Sequence, residues 1–233
     1  MLLIAFRQRA VTTNIVLAVL LASMVPVVGQ TKDPLELVVA RYAVADSPVP
    51  DALLQLGFKT GIPLGIVATD PSLWKRKISL DISGETFSSL LSRILSAAPG
   101  YAWSVDHGVV VISSTSVTTT DDFINAKIRS FDVEKPQDAE NLSADLWMAV
   151  LLTLDPGRRE GFYGVLHPSS LDRELPPAHL SGSETWVILN WIVREHGKAA
   201  WIAMPFTGDI QKTQVNQLWK LFFYPQEEVT RAK

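Results

Sequence analysis

The side chains best suited to catalysis lie together in one loop, residues 167–179 (HPSSLDRELPPAH). The loop holds the three residue types of a serine hydrolase, namely His167, His179, Ser169, Ser170, Asp172 and Glu174. A serine nucleophile needs a base within hydrogen-bond reach and an oxyanion site, and proximity in sequence supplies neither. The chain also lacks the G-x-S-x-G elbow of the α/β-hydrolases. We therefore predict no catalytic residues and no enzyme activity.

The other chemistry-bearing residues indicate neither a cofactor nor a metal. The histidines form no H-E-x-x-H pair or other close ligand spacing, and no glycine-rich loop is suited to cradle a phosphate. His107 falls in a predicted turn and His196 in a predicted last helical turn, where structural roles are expected. The absence of cysteine excludes disulfides and lipoprotein attachment.

The N-terminus has the pattern of an export signal. Arg7 and Arg9 precede an apolar run, residues 15–28, and small residues at Val27 and Gly29 suit a signal peptidase. We predict a Sec-type signal peptide over residues 1–29 and a periplasmic or secreted protein, with an uncleaved anchor as the alternative. Without those two arginines the formal charge changes from −3 to −5 (19 − 24), which gives no electrostatic footprint for nucleic acid. Membrane contact after cleavage is not expected.

The most strongly patterned stretch is 77–113. Residues 77–82 alternate between polar and apolar, which predicts a half-buried strand. From Phe87 to Ala98 the apolar residues follow helical spacing, with Ser83 as the expected N-cap and Pro99-Gly100 as the end. Residues 101–105 and 109–112 predict a hairpin turned at Asp106-His107-Gly108.

The preceding residues predict a strand-like run over 34–44, a helix over 51–61, a strand over 62–67 and a polar loop over 69–76. The segments VPDALLQLGFKTGIPLGIV and KISLDISGETFSSLLSRILSAAPGYAWSVDHGVVVI resemble the short N-terminal domain of secretins and TonB-dependent receptors, the STN domain. The resemblance is carried by Lys59-Thr60-Gly61, by Ser83-Gly84-Glu85-Thr86, and by the Leu-rich helix and hairpin that follow.

The resemblance implies a periplasmic domain of two βαβ-like halves that makes protein contacts. In TonB-dependent transducers such a domain signals to a membrane-bound anti-sigma partner, and in secretins it belongs to a multimeric channel. The residues after 114 are too few for a receptor barrel or a secretin pore domain. We therefore expect a stand-alone relative.

The second part of the chain is predicted to repeat the first. A polar linker over 115–124 precedes a second, diverged βαβ-type module over 125–208, with a helix over 141–154 and strands over 128–133 and 161–166. Leu180-Ser181-Gly182-Ser183-Glu184-Thr185-Trp186 matches Ile82-Ser83-Gly84-Glu85-Thr86-Phe87 with one inserted residue, and Trp201 matches Trp103. Ser181 and Glu184 have the spacing of a capping box. The alternative is that any two βαβ units share this pattern.

The sequence thus predicts an α+β protein of two small modules, 34–114 and 125–208, with helices packed on short sheets. An amphipathic helix and tail are expected over 209–233. The leading hypothesis is a non-enzymatic periplasmic module that binds an envelope protein through an exposed sheet edge. A membrane-anchored protein and a component of a secretion or transport system are the two kinds of partner considered. The candidate contacts are Trp74, Asp106, His107, Gly108, Trp219, Phe222 and Phe223, and core packing is the alternative for each aromatic. The alternative function is a small-ligand carrier with a cleft between the modules.

Overall fold

We describe the protein from a computed structural model, which covers residues 33–68, 70–115, 123–154, 156, 173–205 and 217–224. The predicted signal peptide, the predicted strand over 161–166 and most of the predicted linker lie outside these residues. Within this part of the chain, no helix combines the length and the apolar character needed to cross a membrane.

The fold is α+β, as the sequence predicts. A 3-10 turn covers Pro34–Glu36, and the α-helices are α1 (Val49–Thr60), α2 (Pro71–Lys75), α3 (Phe87–Ser96), α4 (Ala139–Leu154) and α5 (Thr185–His196). The strands are β1 (Val38–Val39), β2 (Tyr42–Pro48), β3 (Leu64–Val67), β4 (Lys77–Ile82), β5 (Glu85–Thr86), β6 (Tyr101–Asp106), β7 (Val109–Ser114), β8 (Asp132–Val133), β9 (Gln137–Asp138), β10 (Glu174–Leu175), β11 (Ala178–His179), β12 (Ala199–Pro205) and β13 (Gln217–Phe223).

Both predicted modules contribute to one central sheet, whose strand order is β13-β12-β3-β7-β6. Strand β3 runs parallel to both of its neighbours, β7 and β12, while β6 and β13 pair antiparallel at the two ends. The remaining strands form two-stranded ribbons, of which β2–β4 is the longest.

Helices cover the two faces of this sheet and create two hydrophobic cores. Successive side chains of a strand point to opposite faces, so Ala200 and Ile202 of β12 enter one core while Trp201 and Ala203 enter the other. The first core contains the buried sides of α1 and α3 together with the β2–β4 ribbon, and the second contains α4 and α5.

Helix α5 is buried on more than one side, as its nearly all-round apolar sequence predicts. Its buried residues are Thr185, Ile188, Leu189, Asn190, Trp191, Ile192, Val193 and His196. The helix contacts β3 and β7 of the first predicted module as well as α4 and β12 of the second. This double packing joins the two modules through one element.

The starts of α3 and α5 are held by equivalent main-chain hydrogen bonds. Before α3, Gly84 N donates to Val39 O (3.0 Å) and Phe87 N donates to Leu37 O (2.9 Å). Before α5, Gly182 N donates to Ile128 O (2.7 Å) and Thr185 N donates to Ala126 O (3.0 Å). Thr185 therefore occupies the position of Phe87, and no residue is inserted. The predicted match of Trp186 to Phe87 is wrong, because Trp186 is only partly buried and donates from Nε1 to Glu184. Common ancestry of the two modules stays a prediction.

The described part of the C-terminal segment, residues 217–224, contains a strand, so the prediction of an amphipathic helix there is wrong. Residues Gln217–Phe223 form β13, which pairs along its whole length with β12. Their aromatic and apolar residues also suit a strand, and the long ladder offered by β12 satisfies the main-chain groups of β13. After β13, Tyr224 is buried and its hydroxyl donates to Ile62 O at 2.8 Å.

Three local expectations also need correction. The N-cap of α3 is Thr86 rather than Ser83, and its hydroxyl accepts from Ser89 N at 3.3 Å. The expected polar loop contains α2, which Asp70 caps by accepting from Ser72 N. Ser181 and Glu184 form no capping box, because the Ser181 hydroxyl bonds to β8 instead and the Glu184 side chain makes no cap. In the first two cases a polar side chain close in sequence provides the cap, and in the third Ser181 bonds instead to the distant Asp132.

Candidate functional site

The most distinctive surface feature is the outer side of β6, the last strand of the central sheet. Strand β6 pairs with β7 in the register Asp106↔Val109, and Thr115 N continues this ladder by donating to Gly100 O at 2.7 Å. In an antiparallel ladder the main-chain groups of alternate residues face the neighbouring strand. The even-numbered residues of β6 therefore bond to β7, and Trp103 and Val105 direct their N–H and C=O groups outward.

This outer side is open in the described part of the protein, where no strand pairs beyond β6. The side chains of Ala102 and Ser104 are exposed, and Val105 is 46% exposed. Trp103 is half-buried against the first core, which holds this part of β6 in place. We call the outward main-chain groups of Trp103 and Val105, with their side chains, the β6 edge.

Strand β6 lacks proline, lysine and a bulge, three features that often protect sheet edges. Natural edge strands carry proline, lysine or a bulge, each of which discourages pairing with another chain. The ribbon strand β2 has a register shift between Val44 and Ser47 and ends at Pro48, and the opposite edge strand β13 carries an exposed Lys220. Strand β6 is unbroken and contains no proline or lysine.

The predicted turn at the end of β6 is confirmed and is fixed to the second module. His107 and Gly108 both have positive φ, 47° and 85°, as in the type I′ turns of tight hairpins. One oxygen of the Asp106 carboxylate lies 2.8 Å from His107 Nδ1, and the other accepts from Asn190 Nδ2 at 2.9 Å. His107 is exposed, and Asp106 is only partly so.

The contact with Asn190 continues into the second core. Asn190 is 2% exposed, and its Oδ1 accepts a hydrogen bond of 2.9 Å from Nε1 of the buried Trp201. A buried amide of this kind is stable only when its donors and acceptors are satisfied. The series Trp201, Asn190, Asp106 and His107 thus connects the interior of the second module to the exposed turn of the first; we call it the turn network.

The predicted aromatic contacts are mostly packed into the protein. Trp219 is 7% exposed, donates from Nε1 to Ser143 Oγ at 2.9 Å and contacts the rings of Phe123 and Trp147. Trp74 is half-buried against the first core. Core packing, the alternative left open for these residues, describes both side chains.

The other two aromatics lie on β13. Phe222 is partly buried against the first core, and Lys220 Nζ lies 5.2 Å from the centre of its ring. Phe223 ends β13, and its side chain lies outside the described residues. Of the predicted contacts, the turn Asp106-His107-Gly108 adjoins the β6 edge, while Trp219 and Phe222 lie on β13 at the opposite end of the sheet.

The loop considered for catalysis is only partly described, since His167, Ser169, Ser170 and Asp172 lie outside the described residues. His179 is in β11, where its Nδ1 lies 2.8 Å from Asp132 Oδ1 in β8. Loss of hydration raises the pKa of Asp132, but the hydrogen bond from Ser181, the charge of His179 and the amide of Leu180 outweigh it, and the pKa lies below its ordinary value. These groups join β8 to β11. Among the described residues, no cluster of three or more His, Asp or Glu side chains could hold a metal ion.

The contact between the modules is tightly packed at the centre of the sheet. A Cβ atom added to Gly65 of β3 would come within 2.6 Å of the Trp201 ring. A groove of about 930 Å³ does exist, but it lies within the second module, between residues 125–133 and α4. It is lined by apolar residues such as Met148 and Leu152, and by charged ones such as Lys127 and Arg129. Its location differs from that of the predicted cleft between the modules.

Sequence reasoning found the turn but missed the β6 edge and Asn190. The lone asparagine in the otherwise apolar run 186–193 was a signal for a buried polar contact. The hairpin pattern also indicates which residues of β6 face away from β7, but tertiary structure decides that β6 ends the sheet. Comparison of the chain with protein-family models, curated proteins and solved structures finds no match. The resemblance to the STN domain therefore rests on the sequence features alone.

Proposed function

We propose that this protein is a non-enzymatic periplasmic module that binds an extended segment of another envelope protein along the β6 edge. Its role would be similar to that of the docking and signalling domain of TonB-dependent transducers and secretins. The observation that carries the proposal is the outward pair of main-chain groups at Trp103 and Val105, in an unbroken strand with no described neighbour on its outer side.

A segment added beside β6 would gain both affinity and specificity. Its main chain would bond to Trp103 and Val105, while its alternate side chains would pack on either face of the extended sheet. On one face it would meet the exposed side chain of Val105, and on the other the exposed Ala102 and Ser104. These uncharged groups favour an apolar or uncharged partner segment over an ionic one.

The turn network supports the proposal because it fixes one end of the edge. The Asp106 carboxylate is held by Asn190, so the last residues of β6 have a defined position before a partner arrives. A pre-ordered strand loses less conformational entropy on binding than a mobile one. The second module would therefore serve to hold the binding edge of the first.

The test is affinity capture from the native periplasm with residues 30–233 as bait. Val105→Pro removes one outward N–H and leaves the bonds to β7 in place, while Val105→Thr preserves that N–H and the β-branched shape. Val105→Lys is a second edge variant that keeps the main chain intact. Circular dichroism first establishes that each variant is folded.

We expect the wild type and Val105→Thr to recover the same envelope protein in stoichiometric amount, and Val105→Pro and Val105→Lys to lose it. Equal recovery by all four proteins would place the contact elsewhere. Recovery of nothing under gentle conditions would contradict the proposal, and native mass spectrometry would then test for a bound small molecule.

A further inference from the structure

We propose that the β6 edge also pairs with the β6 edge of a second copy of this chain, around a two-fold axis at Ser104. The inference rests on the same edge as the proposed function, and it names one partner that purified protein alone can reveal. It follows from the register of the outward groups, from the charge along the strand and from the state of the other sheet edges.

The available main-chain groups select one register. Tyr101 also faces outward, but its N–H already donates to Ala98 O at 3.1 Å. The outward N–H groups that remain are those of Trp103 and Val105. Antiparallel copies use the N–H and the C=O groups of both residues when Trp103 of each copy lies opposite Val105 of the other, and each such pair exchanges two hydrogen bonds. Ser104 of one copy then faces Ser104 of the other.

The side chains in this register are compatible. Each Trp103 lies across from a Val105, and aromatic and β-branched residues are a favourable cross-strand combination. The charged residue of β6 is Asp106, at the end of the strand, where Asn190 and His107 already engage its carboxylate. In the two-fold pair Asp106 faces Ala102 of the second copy, so like charges do not meet.

Self-pairing fits this edge better than the edges of β2 and β13. An isologous contact requires a patch that is complementary to itself, and an unbroken, uncharged antiparallel edge satisfies that requirement. The bulge in β2 and the exposed Lys220 on β13 work against pairing at those strands. The contact is short compared with a standard interface, so the association should be reversible and dependent on protein concentration.

The two-fold register can be tested by a single introduced cysteine, because the chain has none of its own. In Ser104→Cys, the two sulfurs would lie on either side of the axis in a non-hydrogen-bonded pair, where Cα atoms are about 4.5 Å apart and within disulfide range. The matched control is Ala102→Cys, which is also exposed and on the same face of β6. Its counterpart in the second copy would be about 13 Å away along the strand, too far for a disulfide.

Purified residues 30–233 carrying each cysteine would be oxidised mildly at several concentrations and run on non-reducing gels. We expect Ser104→Cys to form a covalent dimer at least about ten-fold faster than Ala102→Cys, and faster at higher concentration, because only the first pair lies within disulfide reach. Equal rates for the two variants would overturn the two-fold pairing. If the rates are equal but the wild type captures an envelope protein that Val105→Pro does not, the proposed function stands without self-pairing. If Ser104→Cys forms dimers rapidly and no protein is captured, self-pairing alone is supported.

Discussion

Replacement of Asn190 by leucine tests the turn network, which joins the two modules. The change preserves the approximate volume of the side chain but removes both of its hydrogen bonds, one from Trp201 Nε1 and one to Asp106. Asp106 is partly exposed and can bond to water instead. Trp201 is fully buried, so its indole N–H is left without an acceptor. An unsatisfied buried donor costs roughly 1–3 kcal/mol, and we expect the free energy of unfolding to fall by about that amount.

A double-mutant cycle separates this effect from changes in packing. Trp201→Phe removes the indole donor, so Asn190→Leu should cost less in that background, by roughly 1 kcal/mol or more. Urea denaturation followed by circular dichroism measures all four proteins, which avoids dependence on tryptophan fluorescence. Equal costs of Asn190→Leu in the two backgrounds would refute the claim that Asn190 acts by satisfying Trp201.

Three further predictions concern the core, the module contact and pH. Leu91→Ala should lower the free energy of unfolding by roughly 2–5 kcal/mol, because Leu91 is fully buried in the first core; a loss well below 1 kcal/mol in urea denaturation would mean that the helix face is wrong. Gly65→Ala should cost roughly 1–3 kcal/mol by overpacking against Trp201, and an unchanged melting temperature would show that the two strands have room to separate. The pKa of Asp132 is lower in the folded protein than in the unfolded chain, so its contribution to stability is present above the unfolded pKa and is lost as pH falls through the folded pKa. Wild type should therefore lose more stability than Asp132→Asn below about pH 4, and parallel pH profiles of the two proteins would contradict this.

The local pattern of the first module was sufficient to predict most of its elements. The alternation in 77–82, the apolar stripe from Phe87 and the Asp106-His107-Gly108 turn all correspond to observed elements. Each of these signals depends on neighbours in sequence, which share a face of a strand or a helix. The end of α5 at Gly197, with φ of 74°, was predictable for the same reason.

The misjudged elements were decided by distant contacts. Residues 217–223 fit a helical or an extended pattern, and their pairing with β12 determines that they form a strand. Trp219 could equally lie on a surface or in a core until the positions of Phe123 and Trp147 are known. The open edge of β6 likewise depends on the order of strands in the sheet, which is a property of tertiary structure rather than of local sequence.

The most direct test of the central claim is residue-level amide hydrogen exchange across β6 in purified residues 30–233. It should be measured by mass spectrometry with fragmentation at low protein concentration, where self-pairing is minimal. We predict alternating protection, with slow exchange at Ser104 and Asp106, whose amides bond to β7, and fast exchange at Trp103 and Val105, whose amides face outward. Slow exchange at all four residues at the lowest concentration would mean that the β6 edge is already covered, and would contradict its role as a binding surface.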